Sequence, residues 1–179
     1  RIAYSHPKDC KQALDAGAGG IIAPMIENTD QLISIRNACC WPPTGNRGVG
    51  FSRANLFGKN FDKYKEEAQA PLLIGQIEHI DAVNNLESLL QIKGLDAIMI
   101  GPYDLSASMG LTAKFDNKKF VSAINRIVTL CNKYSIPCGD HIVHPDPDLL
   151  ATRIEQGFRF IAYGTDGVFL FSSSTSPRL

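Results

Sequence analysis

One feature constrains this chain more than any other. Five short, continuous apolar runs, at 20–25, 71–77, 96–100, 136–141 and 159–163, alternate with longer stretches of helical spacing. A continuous run, unlike an alternating one, predicts a strand covered on both faces. Strand, helix and strand in series predict right-handed crossovers and a parallel sheet. The intervening stretches carry helix signals. Residues 7–16 open on Pro7 and stop before Gly17, the end chemistry of a helix. Asn28, Thr29 and Asp30 offer an N-cap for a helix to about Cys40, with Leu32, Ile35 and Cys39 on one face and Pro42-Pro43 as its stop. Val83, Leu86, Leu89 and Leu90 define an inward face over 82–92, closed by Gly94. Asp116 caps a helix to about Tyr134, with Phe120, Ile124, Ile127 and Cys131 at helical spacing. Stretches 60–69 and 146–156 read as further helices, 47–49 as a short strand, and 1–4 as the tail of another strand.

Composition narrows the class. At 179 residues, 44% apolar and 20% charged, the chain is too apolar for disorder and long enough to bury a core. Its 18 basic and 18 acidic residues cancel, which argues against nucleic acid or an anionic membrane surface as partner. No run approaches the roughly 18 apolar residues of a membrane span, and no signal peptide opens the chain. Cys10, Cys39, Cys40, Cys131 and Cys138 are odd in number and lack CxxC or Cys/His zinc spacing. They read as free thiols of a reducing, cytoplasmic compartment. Two architectures accommodate five parallel strands: an open doubly wound sheet and a (β/α)8 barrel. No GxGxxG or GxxxxGK[ST] follows any strand, so nucleotide binding has no support. In a barrel of about 250 residues, this α/β chain would supply the last five βα units and the end of a third strand. The expected organisation is a partial barrel domain over 1–170 and a polar tail over 171–179.

In parallel sheets, ligands meet the carboxyl ends of the strands. After Leu72-Leu73-Ile74-Gly75 come Gln76 and Glu78, two apart and therefore on one side of a strand. After Ala97-Ile98-Met99-Ile100 comes Gly101-Pro102-Tyr103-Asp104. Glu78 and Asp104 thus end consecutive strands, and two converging carboxylates suit a hard divalent cation. On spacing alone this signal is weak, because carboxylates at strand ends are often helix caps or surface groups.

Gly-Gln-Ile-Glu at 75–78, Ile-Gly-Pro-Tyr-Asp-Leu-Ser at 100–106 with Met109-Gly110, and Pro-Pro-Thr-Gly-Asn-Arg-Gly-Val-Gly at 42–50 fall in order. Together with Arg1 before Pro7 and Gln12 to Gly17, they resemble the HpcH/HpaI family of class II, metal-dependent pyruvate aldolases, over nearly the whole chain. The resemblance implies a (β/α)8 barrel assembling as a homo-oligomer, a hexamer. Glu78 and Asp104 would ligate Mg²⁺, Mn²⁺ or Co²⁺. Arg1 and Gln76 would stand at the keto oxygen of a bound pyruvate unit, with Arg1 stabilising enolate charge. Ser106 would receive the substrate carboxylate, and Asp15 would reach a neighbouring subunit's site. The reaction implied is cleavage of a 4-hydroxy-2-oxo acid to pyruvate and an aldehyde.

The resemblance leaves some residues unmatched. The family's base histidine has no counterpart by motif. His79 should face away from Glu78, His141 and His144 lie near a strand end without a family match, and His6 reads as a helix-entry residue. Arg47 reads as a framework residue paired with an acid. The loop 51–55 differs from that of the sugar-acid aldolases, and the Ser-rich stretch after Leu170 replaces a closing helix. Two rival readings are a citrate-lyase-β-like lyase acting on a CoA thioester and a catalytically silent binding or assembly subunit.

Overall fold

The computed structural model describes residues 1–174. Five strands, β1 (Gly20–Ala23), β2 (Leu72–Ile77), β3 (Ala97–Ile100), β4 (Cys138–Ile142) and β5 (Phe160–Tyr163), form one all-parallel sheet in sequential order. A doubly wound sheet reverses its strand order at a switch point. Here the order never reverses, so every crossover helix falls on the same, outer face. The result is a curled arc of a (β/α)8 barrel. The amide of Ile2 donates to the carbonyl of Ile22 at 3.2 Å, which sets the first residues alongside β1.

The outer face is the core. Ile21 and Ala23, Leu73 and Ile77, and Ile98 and Ile100 pack against α1 (Pro7–Asp15), α2 (Thr29–Cys39), the short pair α4 (Ile80–Asn84) and α5 (Leu86–Leu89), and α7 (Lys118–Tyr134). Full burial of such a side chain contributes about 1.5–3 kcal/mol, so this face carries most of the stability. The inner face departs from the expectation of a sheet covered on both sides: Ile22, Ile74, Phe160 and Ala162 are only partly buried.

Helix ends follow the local chemistry. His6 caps α1 through Nδ1, Asn28 caps α2, and Asn117 rather than Asp116 caps α7. The expected helix over 82–92 is two short ones, broken at Asn85, whose backbone leaves the helical region and whose side chain donates to the Glu27 carbonyl. The expected strand at 47–49 does not form. β1 pairs directly with β2, which leaves no place between them for it, and the Arg47 amide bonds to the Cys40 carbonyl instead. Three helical segments lack a sequence counterpart: a 3₁₀ segment Arg53–Gly58, α6 (Pro102–Ser108) and α9 (Asp166–Ser173). Helix α9 runs through Leu170 to Ser173, into the stretch expected as tail; the rest of that tail, 175–179, lies outside the described residues. The two remaining helices, α3 (Phe61–Glu67) and α8 (Pro147–Glu155), lie where the spacing puts them. Among the described residues, no helix is long and apolar enough to cross a membrane.

Candidate active site

Strand parity builds the site. On each strand every second residue faces inward, and the inward residues at the carboxyl ends line one cavity of about 480 Å³. β2 and the residue after it supply Gln76 and Glu78, β3 supplies Met99 and then Gly101, β4 supplies His141 and then Val143, and β5 supplies Ala162 and then Gly164. Arg1 and Asp104 complete the wall beside β2 and β3. The structure therefore brings together Arg1, Gln76, Glu78 and Asp104.

Glu78 is 2% exposed. One carboxylate oxygen, Oε2, accepts the Met25 amide at 2.9 Å, and the other, Oε1, lies 3.9 Å from the half-exposed Arg1 guanidinium. Met25 holds φ at 52°, in the left-handed region that costs a non-glycine residue about 1–2 kcal/mol. Its N–H meets the carboxylate in that conformation. Burial pushes the Glu78 carboxyl above its ordinary range, against the pull of the Met25 amide and Arg1; the neighbouring Asp104 carboxyl raises it further. Asp104 reaches it from the first turn of α6, which opens on Pro102 after Gly101 as N-cap. A β-carbon on Gly101 would lie 2.6 Å from the Glu78 Cγ, so the Glu78 side chain needs the space that glycine leaves.

Two adjacent carboxylates, one of them buried and short of partners, fit a hard divalent cation in their oxygen chemistry and charge. Arg1 Nε donates to Gln76 Oε1 at 3.4 Å, and among the described residues the Gln76 amide nitrogen has no acceptor, which leaves it a free donor.

Two candidates are not brought to the cavity. Ser106 is fully buried; its hydroxyl donates to the Tyr103 carbonyl and accepts the Ala113 amide, so it locks the turn after α6 and offers nothing to a carboxylate. Asp15 ends α1 and is held by Lys11 Nζ at 2.6 Å and Arg47 Nη1 at 3.1 Å. Arg47 is the expected framework residue, buried between Asp15, the Tyr64 hydroxyl and the Trp41 ring. His79 turns away from the cavity and caps α4 through Nδ1. With Glu27 and Asp81 it forms a small surface cluster of ligand-type atoms, but Asp81 is exposed and the Nδ1 lone pair already accepts the Asp81 amide. His141, which no motif singled out, does line the cavity; the signal that finds it is its inward parity on β4.

The model of the HpcH/HpaI aldolase/citrate lyase family matches residues 1–173, and the chain belongs to that family. It is 37% identical over 174 residues to a 4-hydroxy-2-oxovalerate aldolase of Novosphingobium aromaticivorans, covering 94% of this chain and 63% of that protein. It is 33% identical over 169 residues to a hydroxypyruvate/pyruvate aldolase of Roseobacter denitrificans, covering 93% of this chain and 65% of that one. The chain thus spans less than two thirds of the length of these relatives. The crystal structure of a HpcH/HpaI aldolase/citrate lyase family protein from Burkholderia cenocepacia superposes with a TM-score of 0.90 at 29% identity, over 97% of this chain and 68% of the other.

Proposed function

We propose that this chain acts as a metal-dependent aldolase that cleaves 4-hydroxy-2-oxo acids to pyruvate and an aldehyde. The observation that carries the reading is the meeting of Glu78 and Asp104, from the ends of consecutive strands, beside Arg1 and Gln76 in one cavity. Glu78 and Asp104 would hold Mg²⁺, Mn²⁺ or Co²⁺, which when bound supplies Lewis acidity and a chelation point for a 2-oxo acid. This chain's residues do the rest. Arg1 presents a guanidinium that stays protonated and faces the keto oxygen, where negative charge develops as the C3–C4 bond breaks and its electron pair moves into the enolate. The free Gln76 amide donates to the same oxygen. The C4 hydroxyl loses its proton as the aldehyde forms, and the enolate carbon takes one up to give pyruvate.

The exposed apolar side chains of Phe51, Leu56, Phe57, Leu170 and Phe171 support self-association as a homo-oligomer, in which Asp15 would approach a neighbouring subunit. The residues to 170 read as one barrel domain, without a second core of comparable size to divide them.

Calorimetric titration tests the reading. Mn²⁺ should bind the purified protein and bind at least about a hundredfold more weakly to Glu78→Gln and to Asp104→Asn, each of which removes a charged ligand. Oxalate, an enolate mimic, should bind more tightly than acetate when Mn²⁺ is present. Unchanged Mn²⁺ affinity in both variants, or equal binding of the two anions, would overturn it.

A further inference from the structure

The cavity has two unlike walls. Arg1, Gln76, Glu78 and Asp104 crowd the side of β2 and β3; across from them, β4, β5 and the residues after them present Val143, Ala162, Gly164, Thr165 and one imidazole, His141. Strand register fixes where that imidazole stands. Gln76 pairs with Met99, and Met99 with Gly139. Two residues further along each strand, the same ladder aligns Glu78, Gly101 and His141, and His141 pairs with Ala162. Gly101 has no side chain, and Glu78 leans across it. His141 is therefore level with the buried carboxylate and separated from it by a strand that contributes backbone alone.

The imidazole has a free side. Nε2 lies 3.4 Å from the Gly164 carbonyl oxygen, which can only accept. Assigning the proton to Nε2 on that ground leaves Nδ1 as an acceptor, and among the described residues nothing donates to it. His141 also borders a second cavity of about 690 Å³ that shares Pro102, Tyr103 and Val143 with the first. It stands where the site continues outward, away from the carboxylate pair.

Resting on the aldolase reading, we infer that His141 selects the aldehyde half of the substrate: its Nδ1 accepts a hydrogen bond from a hydroxyl on the carbon next to the aldehyde, so that hydroxyaldehydes are preferred to alkanals of the same length. With the pyruvate unit against β2 and β3, the aldehyde faces β4 and β5. Apart from His141 that wall holds Val143, Ala162 and Thr165, and the Thr165 hydroxyl oxygen already accepts the Val168 amide at 3.3 Å, so a hydroxyl that has lost water there meets the imidazole as a free acceptor. A net hydrogen bond of ordinary strength gives a preference of about five- to tenfold.

The test is condensation of pyruvate with glycolaldehyde and with acetaldehyde, by the purified protein with Mn²⁺. The wild type should show the higher kcat/KM for glycolaldehyde. His141→Leu should lower the glycolaldehyde-to-acetaldehyde ratio by about five- to tenfold. His141→Asn, whose side-chain oxygen is an acceptor, should retain most of the ratio. The ratio cancels any general loss of activity, so a merely structural role of His141 would leave it unmoved. A ratio equal to wild type in an active His141→Leu variant, or no preference in the wild type, overturns this inference and leaves the aldolase reading standing. No Mn²⁺-dependent condensation by the wild type with either aldehyde overturns the aldolase reading and this inference with it.

Discussion

Two carboxylates are buried in this sheet beside an arginine, and they are built in opposite ways. Asp140 faces outward from β4 and accepts Arg153 Nε at 2.6 Å; the two side chains are 4% and 17% exposed. Arg153 is further fixed by Gln156 Oε1 at 2.8 Å and lies over the Phe158 ring. Glu78 faces inward at the end of β2, with its arginine 3.9 Å away and half in solvent, and with a second carboxylate at its side. The first pair is closed and joins a helix to the sheet. The second is left open, at a cost to the fold, because a buried acid without a close counter-charge is disfavoured. An acid under-partnered in this way marks a site, whereas a fully partnered one marks framework.

The contrast is sharpest in what breaking each acid does. Asp140→Ala should destabilise the protein by about 3–5 kcal/mol, the usual cost of leaving one member of a buried pair alone, read as a lower urea midpoint. Its Mn²⁺ affinity, measured where the variant is folded, should match wild type. Equal stability of Asp140→Ala and wild type would remove the distinction between the two acids. Gly101→Ala should weaken Mn²⁺ binding by roughly tenfold, since its new methyl displaces Glu78 without removing a ligand, an effect of the size seen when a ligand's support is lost; unchanged affinity would show that Glu78 needs no such space.

A smaller effect carries a sign. The carboxyl of Glu78 is pushed upward in the fold, so the folded state holds its proton more tightly than the unfolded state does. The stability from this group is fully present below the ordinary glutamate range and is lost as pH rises through the raised value. Without metal, Glu78→Gln should therefore gain thermal stability over wild type as pH rises from acid to neutral, while Met25 keeps an oxygen to donate to. A difference in melting temperature that is constant across that range would contradict the assignment. The smallest effect belongs to the surface. Lys133→Ala removes an exposed pair with Glu87 at 2.6 Å and should leave the urea midpoint unchanged within error; a clear shift would show that exposed pairs matter here as well.

Much of this was legible in the sequence because two periodicities decide it. Continuous apolar runs located all five strands, and the two-residue period put Gln76 with Glu78 on one side and His79 on the other. What escaped lacked such a period. Helix α6 is seven residues opening on Pro102, too short to show an apolar face, and α9 carries Phe169, Leu170 and Phe171 in a row followed by serines. Ser106 follows Asp104 so closely that the two look like parts of one site, yet two residues along a helix turn a side chain by more than half a circle. In space Ser106 faces its own turn. His141 escaped for the opposite reason: its position on β4 was readable, but without the register across β2, β3 and β4 nothing in the sequence set it level with Glu78.

The parity that assembles the cavity also gives the chain something like a reading frame. Along β2, odd positions belong to the core and even ones face the inside of the arc, where Gln76 and then Glu78 enter the site. Deleting one residue between Leu72 and Gln76 would shift the strand by one and exchange those duties, sending Glu78 toward the helices and Ile77 into the cavity. Deleting two restores the phase and shortens the strand by one inward position. A strand of this kind tolerates length changes in pairs, so insertions and deletions compatible with the site belong in the loops before β2 and after α6, where no such phase has to be kept.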